Sequence, residues 1–163
     1  MGRKNIFVIV LLAFIIIISA RDVFACPCTP IKSDANGNFP TQAQEVKKAF
    51  DESNAIFSGV VTKIVNARHG NYTNRFVITF RIDKSWKGIT KRKIKIFTGL
   101  GGGDCGYPFK IGKRYLVYAY DEGDNELGTN ICAKTTRLTK TTEDLKILDK
   151  LKTSKVESNY LPN

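Results

Sequence analysis

Few residues in this 163-residue chain are of types that readily do chemistry. Cysteine occurs four times, at Cys26, Cys28, Cys105 and Cys132, and histidine once, at His69. Four thiols can make two disulfides or a zinc–thiolate site. A C-x-C pair followed by two isolated cysteines lacks zinc-ribbon spacing, so no metal of its own is expected. His69 stands beside Gly70 and Asn71 in a turn-like stretch, with no Cys, Ser or Asp partner in view. No G-x-S-x-G or other nucleophile–base pattern is present, so the expectation is a protein that is not an enzyme and needs no cofactor. The run Gly99-Leu100-Gly101-Gly102-Gly103-Asp104 invites a phosphate-cradle reading. Such a loop should open a helix, which Asp104-Cys105-Gly106-Tyr107-Pro108 resists. It reads instead as a flexible loop held at its end by Cys105.

The first 25 residues resemble a targeting segment. Arg3 and Lys4 precede an apolar run from Ile6 to Ile18, which is shorter than the roughly 20 residues that a membrane span needs. Small or apolar residues, Val23 and Ala25, stand at −3 and −1 of a cut before Cys26, the order expected of a secretory signal peptide. A cysteine after the cut also suits a lipoprotein signal, but bulky Phe24 and the Arg21-Asp22 break argue against lipid anchoring. Residues 26–163 are then one extracytoplasmic domain, extracellular or periplasmic, without a transmembrane span, and Cys26 is its first residue.

In an oxidising compartment, an even cysteine count reads as disulfides. Residues i and i+2 of an extended segment have Cβ atoms about 6–7 Å apart, against the roughly 3.5–4.5 Å a bridge requires. Cys26 and Cys28 therefore reach forward to Cys105 and Cys132, in either of two pairings.

Charge is lopsided, with 26 Lys+Arg against 15 Asp+Glu. Lys84, Lys87, Lys91, Arg92, Lys93 and Lys95 concentrate it, with Trp86 and Phe97 available as stacking platforms. A basic face of Lys91, Arg92, Lys93 and Lys95 suits a polyanionic glycan, an envelope surface or an acidic protein. Secretion argues against nucleic acid.

The elements that must position these groups are mostly strands. Thr41 can cap a helix running to about Phe50. Ala55 to Val65 is a strand with a bend or bulge at Gly59. Phe76, Ile78, Phe80 and Ile82 alternate with polar neighbours, and Trp86-Lys87-Gly88 closes that strand. Ile94 and Ile96 mark a third strand ending near Thr98, Tyr115–Tyr120 a fourth, and Leu127–Cys132 a fifth. Thr141 to Asp144 resembles a capping box, and Leu145, Leu148 and Leu151 form the stripe of a helix over about 141–153. Asn71-Tyr72-Thr73 is a formal glycosylation sequon. Five short strands with flanking helices imply a mainly β fold: a small, closed, disulfide-stapled barrel of the oligonucleotide/oligosaccharide-binding type.

Written from its processed end, the chain resembles a known family. Cys26-x-Cys28-x-Pro30, Ile56-Phe57-x-Gly59-x-Val61, Cys105-Gly106, Tyr115-Leu116-Val117-Tyr118 and Cys132 before a terminal helix are similar to the inhibitory domain of tissue inhibitors of metalloproteinases, within the wider netrin-like class. The resemblance covers nearly all of residues 26–151. It implies a five-stranded barrel and bridges Cys26–Cys105 and Cys28–Cys132. It implies inhibition of a zinc metalloprotease, whose catalytic zinc is chelated by the amine and carbonyl of Cys26. Pro27, Cys28, Thr29, Gly102, Gly103 and Asp104 would line the contact ridge. Pro27 replaces the Thr or Ser that enters the protease's specificity pocket in the family. The family's third bridge in this domain is missing, and no C-terminal domain follows within these residues.

Overall fold

A computed structural model describes residues 26–69, 72–140 and 142–160. The targeting segment, Asn71 of the sequon and Thr141 of the expected capping box lie outside the described residues.

Helix α1 (Gln42–Glu52) begins where Thr41 and Gln44 cap each other. The Gln44 N–H donates to the Thr41 hydroxyl, and the Thr41 N–H donates to the Gln44 side-chain oxygen at 2.8 Å. Its buried residues, Val46 and Phe50, lie one turn apart and so share a face. Strands β1 (Ala55–His69) and β2 (Tyr72–Lys87) form a hairpin longer at its tip than hydrophobic alternation indicates. Register shifts let this long ribbon coil, one of them between Ser58 and Gly59. A Cβ at Gly59 would lie 2.6 Å from the Arg81 carbonyl oxygen, so the bulge closes only around glycine.

Strand β3 (Lys93–Thr98) pairs antiparallel with β2, and β4 (Arg114–Asp121) pairs antiparallel with β1. Strand β5 (Leu127–Gly128) joins β3 in parallel and β4 antiparallel, which completes a ring of five strands in the order β1-β2-β3-β5-β4. A sixth strand, β6 (Thr136–Arg137), pairs with the start of β4. The sheet is therefore mixed and six-stranded. A 3-10 turn, Leu138–Lys140, leads toward helix α2 (Thr142–Tyr160), which runs beyond the residue-153 end expected from its leucine stripe.

The fifth strand is two residues rather than the six expected. Asn130 explains the stop. Its side-chain oxygen accepts the N–H groups of Cys132 and Ala133, each at 2.9 Å, and this local turn competes with the ladder.

Two cores follow from the period-2 alternation of the strands. Inside the ring lie Phe57, Val61, Ile78, Phe80, Ile96, Phe109, Tyr115 and Val117. Their rings meet edge to face, Phe57–Phe80 at 5.3 Å and Phe109–Tyr115 at 4.9 Å between centroids. Outside it, Ile56, Trp86, Leu116 and Tyr118 pack against Val46 and Phe50 of α1 and Leu148 of α2. Strand β4 thus serves both cores, which is why Tyr115–Ala119 is buried without a break. Among the described residues, no helix is long and apolar enough to cross a membrane.

Candidate functional site

The four cysteines meet at one end of the ring. Cys26 is bonded to Cys105 and Cys28 to Cys132, with Cα–Cα distances of 5.3 and 5.2 Å. One sulfur from each of Cys26, Cys105 and Cys132 lies within 4.8 Å of the other two, so the bridges are neighbours. All four thiols are spent on each other, and none is left as a thiolate for zinc.

Two loops hold the receiving cysteines. The first leaves β3 at Thr98, whose buried hydroxyl accepts the Tyr107 N–H at 2.8 Å and fixes the far side of the loop. Between them, Gly102–Asp104 forms a 3-10 turn. The Asp104 carboxylate gathers the loop around itself, accepting N–H bonds from Leu100 (2.6 Å), Gly101 (2.7 Å) and Gly106 (3.2 Å). Partial burial pushes its carboxyl upward, but the N–H bonds from Leu100, Gly106 and Gly101 outweigh this and hold it below the usual carboxylate range. These N–H groups are the ones a bound phosphate would need, which is a direct physical reason against a phosphate cradle. The same bonds make this an organised loop rather than a flexible one. A Cβ at Gly106 would collide with the Gly99 and Gly101 backbone, so the close crossing of the loop on itself requires glycine. Cys105 sits in the left-handed region at φ 60°, a costly conformation for a non-glycine residue that the bridge and the Asp104 network impose.

The second loop is the Asn130 turn. Its amide donates to the Tyr120 hydroxyl at 3.0 Å, and the Ile131 N–H donates to the Cys105 carbonyl at 2.9 Å, which ties the two cysteine loops together.

The expected ridge residues are brought side by side. Cys26 is half-buried, whereas Pro27, Cys28 and Thr29 are exposed, and the Cys26–Cys105 bond sets them next to exposed Gly103 and Asp104 in the turn that Gly102 opens. Two exposed apolar side chains, Leu100 and Ile131, stand in the same two cysteine-bearing loops. Sequence reasoning missed both, although each is an apolar residue within a cysteine-bearing loop. Beneath residues 29–32, a groove of about 800 Å³ separates the N-terminal segment from α1.

The basic stretch divides. Lys84 pairs with Asp149 at 2.6 Å, and Lys87 donates to the Phe50 and Asp51 carbonyls. Trp86 and Phe97 are 6% and 9% exposed, which overturns their role as stacking platforms: Trp86 packs in the helix-facing core and its Nε1–H donates to Asp149 at 2.6 Å, while Phe97 lies under the Arg75 guanidinium, which stands 5.0 Å from the ring centroid. Lys91, Arg92, Lys93 and Lys95 remain exposed. His69, expected in a turn, is the last residue of β1, opposite Tyr72.

Comparison with protein-family models gives no match, and a search of curated proteins gives none.

Proposed function

We propose that residues 26–163 form an extracytoplasmic netrin-like domain, an oligonucleotide/oligosaccharide-binding-type barrel, whose processed terminus inhibits zinc metalloproteases. It acts by binding rather than by turnover. The observation that carries this reading is the double tether: bridges from Cys26 and Cys28 to two mutually hydrogen-bonded loops fix the backbone of residues 26–28 at an exposed end of the ring.

The chemistry follows from general principles. An α-amine released at Cys26 has a pKa near 7.7–8.0, so a substantial neutral fraction is available as a nitrogen ligand at neutral pH. A catalytic zinc keeps an open position that the amine and the Cys26 carbonyl can fill together, displacing its water. Clamping Cys26 in advance lowers the entropy cost of binding. Pro27, Thr29 and the Gly102–Asp104 turn, with Leu100 and Ile131, supply the surrounding protein contact. Pro27 offers no backbone N–H, so a target must accept the ridge without a donor there.

The test compares a form beginning at Cys26 with one that retains Ala25, assayed on a panel of zinc metalloproteases. Both should fold with two bridges, and only the first should inhibit. Equal potency from the Ala25 form would refute zinc chelation by the amine.

A further inference from the structure

Strand register collects cations that are far apart in the sequence. On β1, Val60 lies between Arg114 of β4 and Arg81 of β2, and Arg81 lies opposite Lys93 of β3. In the next row Lys63 lies opposite Thr79, which lies opposite Lys95. Neighbours within a row are about 4.8 Å apart, and the rows lie about 6.7 Å apart along the strands. Phe80, Ile78 and Ile96 point into the ring, so the alternating positions Thr79, Arg81 and Lys95 point outward. Arg81, Arg114, Lys63, Lys93 and Lys95 are all exposed. Lys91 and Arg92 extend the patch at the bend entering β3.

Among the described residues, this face carries little counter-charge. Asp83 is shared by Arg81 and Arg114 at 3.5 Å each. The other recorded ion pairs lie elsewhere: Lys47–Asp51, Lys48–Glu52 and Lys146–Glu143 on the helices, Lys84–Asp149 and Lys134–Glu45 against them, and Arg75 with Glu122 and Glu126 at the β4–β5 turn. Like charges directly opposite on a sheet, as with Arg81 and Lys93, are destabilising unless an anion lies over them.

We propose that this outer face of β4, β1, β2 and β3 binds a sulfated polysaccharide. Arginine forks and lysine ammoniums in two rows suit oxyanions strung along a chain. Between the cations stand only Val60 and Thr79, and the nearby aromatics Trp86 and Phe97 are buried, so nucleobases find nothing to stack on. The neighbouring outward row exposes one large apolar side chain, Val65, with Phe97 beside it buried, which is too little apolar surface to enter a bilayer. The rows lie at Lys93 and Lys95 of β3, and the cysteine ridge follows its end at Thr98, about 10 Å along the strand from the nearer row. Glycan binding therefore does not depend on the Cys26 amine.

The test is affinity for heparin, measured by calorimetry at roughly 0.15 M salt. The variant Lys63→Gln/Arg81→Gln/Lys95→Gln/Arg114→Gln should bind about tenfold more weakly or worse. A helix control with the same charge loss, Lys47→Gln/Lys48→Gln/Lys146→Gln/Lys150→Gln, should stay within about twofold of wild type. Equal losses in both variants would overturn the assignment to this face. Single-stranded DNA or anionic vesicles binding as tightly as heparin would overturn the choice of polysaccharide. If the fourfold variant does not fold, the exposed pair Lys63→Gln/Lys95→Gln carries the test, with an expected loss of about threefold, and no loss would reject the proposal.

Discussion

Replacing Asp104 with alanine tests how the cysteine node is held. The carboxylate accepts three backbone N–H bonds, from Leu100 at 2.6 Å, Gly101 at 2.7 Å and Gly106 at 3.2 Å. A charge-assisted hydrogen bond contributes roughly 1.5–3 kcal/mol when shielded from water. Asp104 is exposed, so solvent competes and each bond falls nearer to about 0.5–1 kcal/mol. The loop should therefore lose about 1.5–3 kcal/mol. For a domain of this size, that lowers the thermal midpoint by about 5–10 °C. The pH dependence has a definite sign. The folded carboxyl lies below its ordinary value of 3.8, so the stabilisation is fully present above that value and is lost as pH falls through the lowered one. Thermal unfolding followed by circular dichroism from pH 7 to pH 2 should show wild type and Asp104→Ala separated at neutrality and converging below about pH 4. A gap under about 0.5 kcal/mol at pH 7, or one of the same size at pH 2, would refute the claim that this carboxylate organises the loop. Because that loop carries Cys105, the variant should also weaken metalloprotease inhibition.

Two further changes probe the scaffold. Gly59→Ala sets a Cβ 2.6 Å from the Arg81 carbonyl oxygen, on a neighbouring strand that cannot retreat without disturbing the β1–β2 ladder. A destabilisation of about 1–3 kcal/mol is expected, read as a lower urea midpoint at constant slope, and an unchanged midpoint would show that the bulge yields. Trp86→Phe keeps most of the packing against Leu148 but removes the Nε1–H bond to Asp149. It should cost about 1–2 kcal/mol in urea unfolding at pH 7, and a neutral result would mean that the indole bond adds nothing to the Lys84–Asp149 pair.

Much of the scaffold was legible because its signals are local. The alternation of Phe76, Ile78 and Phe80, the interruption at Gly59 and the stripe of Leu145, Leu148 and Leu151 each reflect which side of one element is buried. What was not legible depends on a partner. His69, Tyr72 and Arg75 belong to strands because they are paired across a hairpin, His69 with Tyr72 and Arg75 with Ala67, not because their own residues prefer extension. Thr136–Arg137 is too short to show a period, and β5 ends early because a single asparagine side chain captures two N–H groups. Trp86 looked like a free aromatic among lysines, yet the helix that covers it lies more than fifty residues onward.

The candidate site divides in the same way. The C-x-C start and the glycine loop stand out as motifs, but spacing alone left open which distant cysteine each partner takes. Both pairings stay within reach because Ile131 donates to the Cys105 carbonyl, a contact that sets the two receiving loops side by side. Either pairing then becomes a matter of which loop lies nearer the first residue and which nearer the third. The basic face was harder still. Only Lys91–Lys95 form a visible run, while Lys63, Arg81 and Arg114 enter through the β1–β2 and β1–β4 registers. Those registers depend on the bulge at Gly59, because a one-residue slip would turn Val60 and its neighbours to the other side of the sheet. The glycine that lets the hairpin coil therefore also decides which cations share a surface. A change there that preserved the fold but shifted the register would disperse the charge without removing any of it.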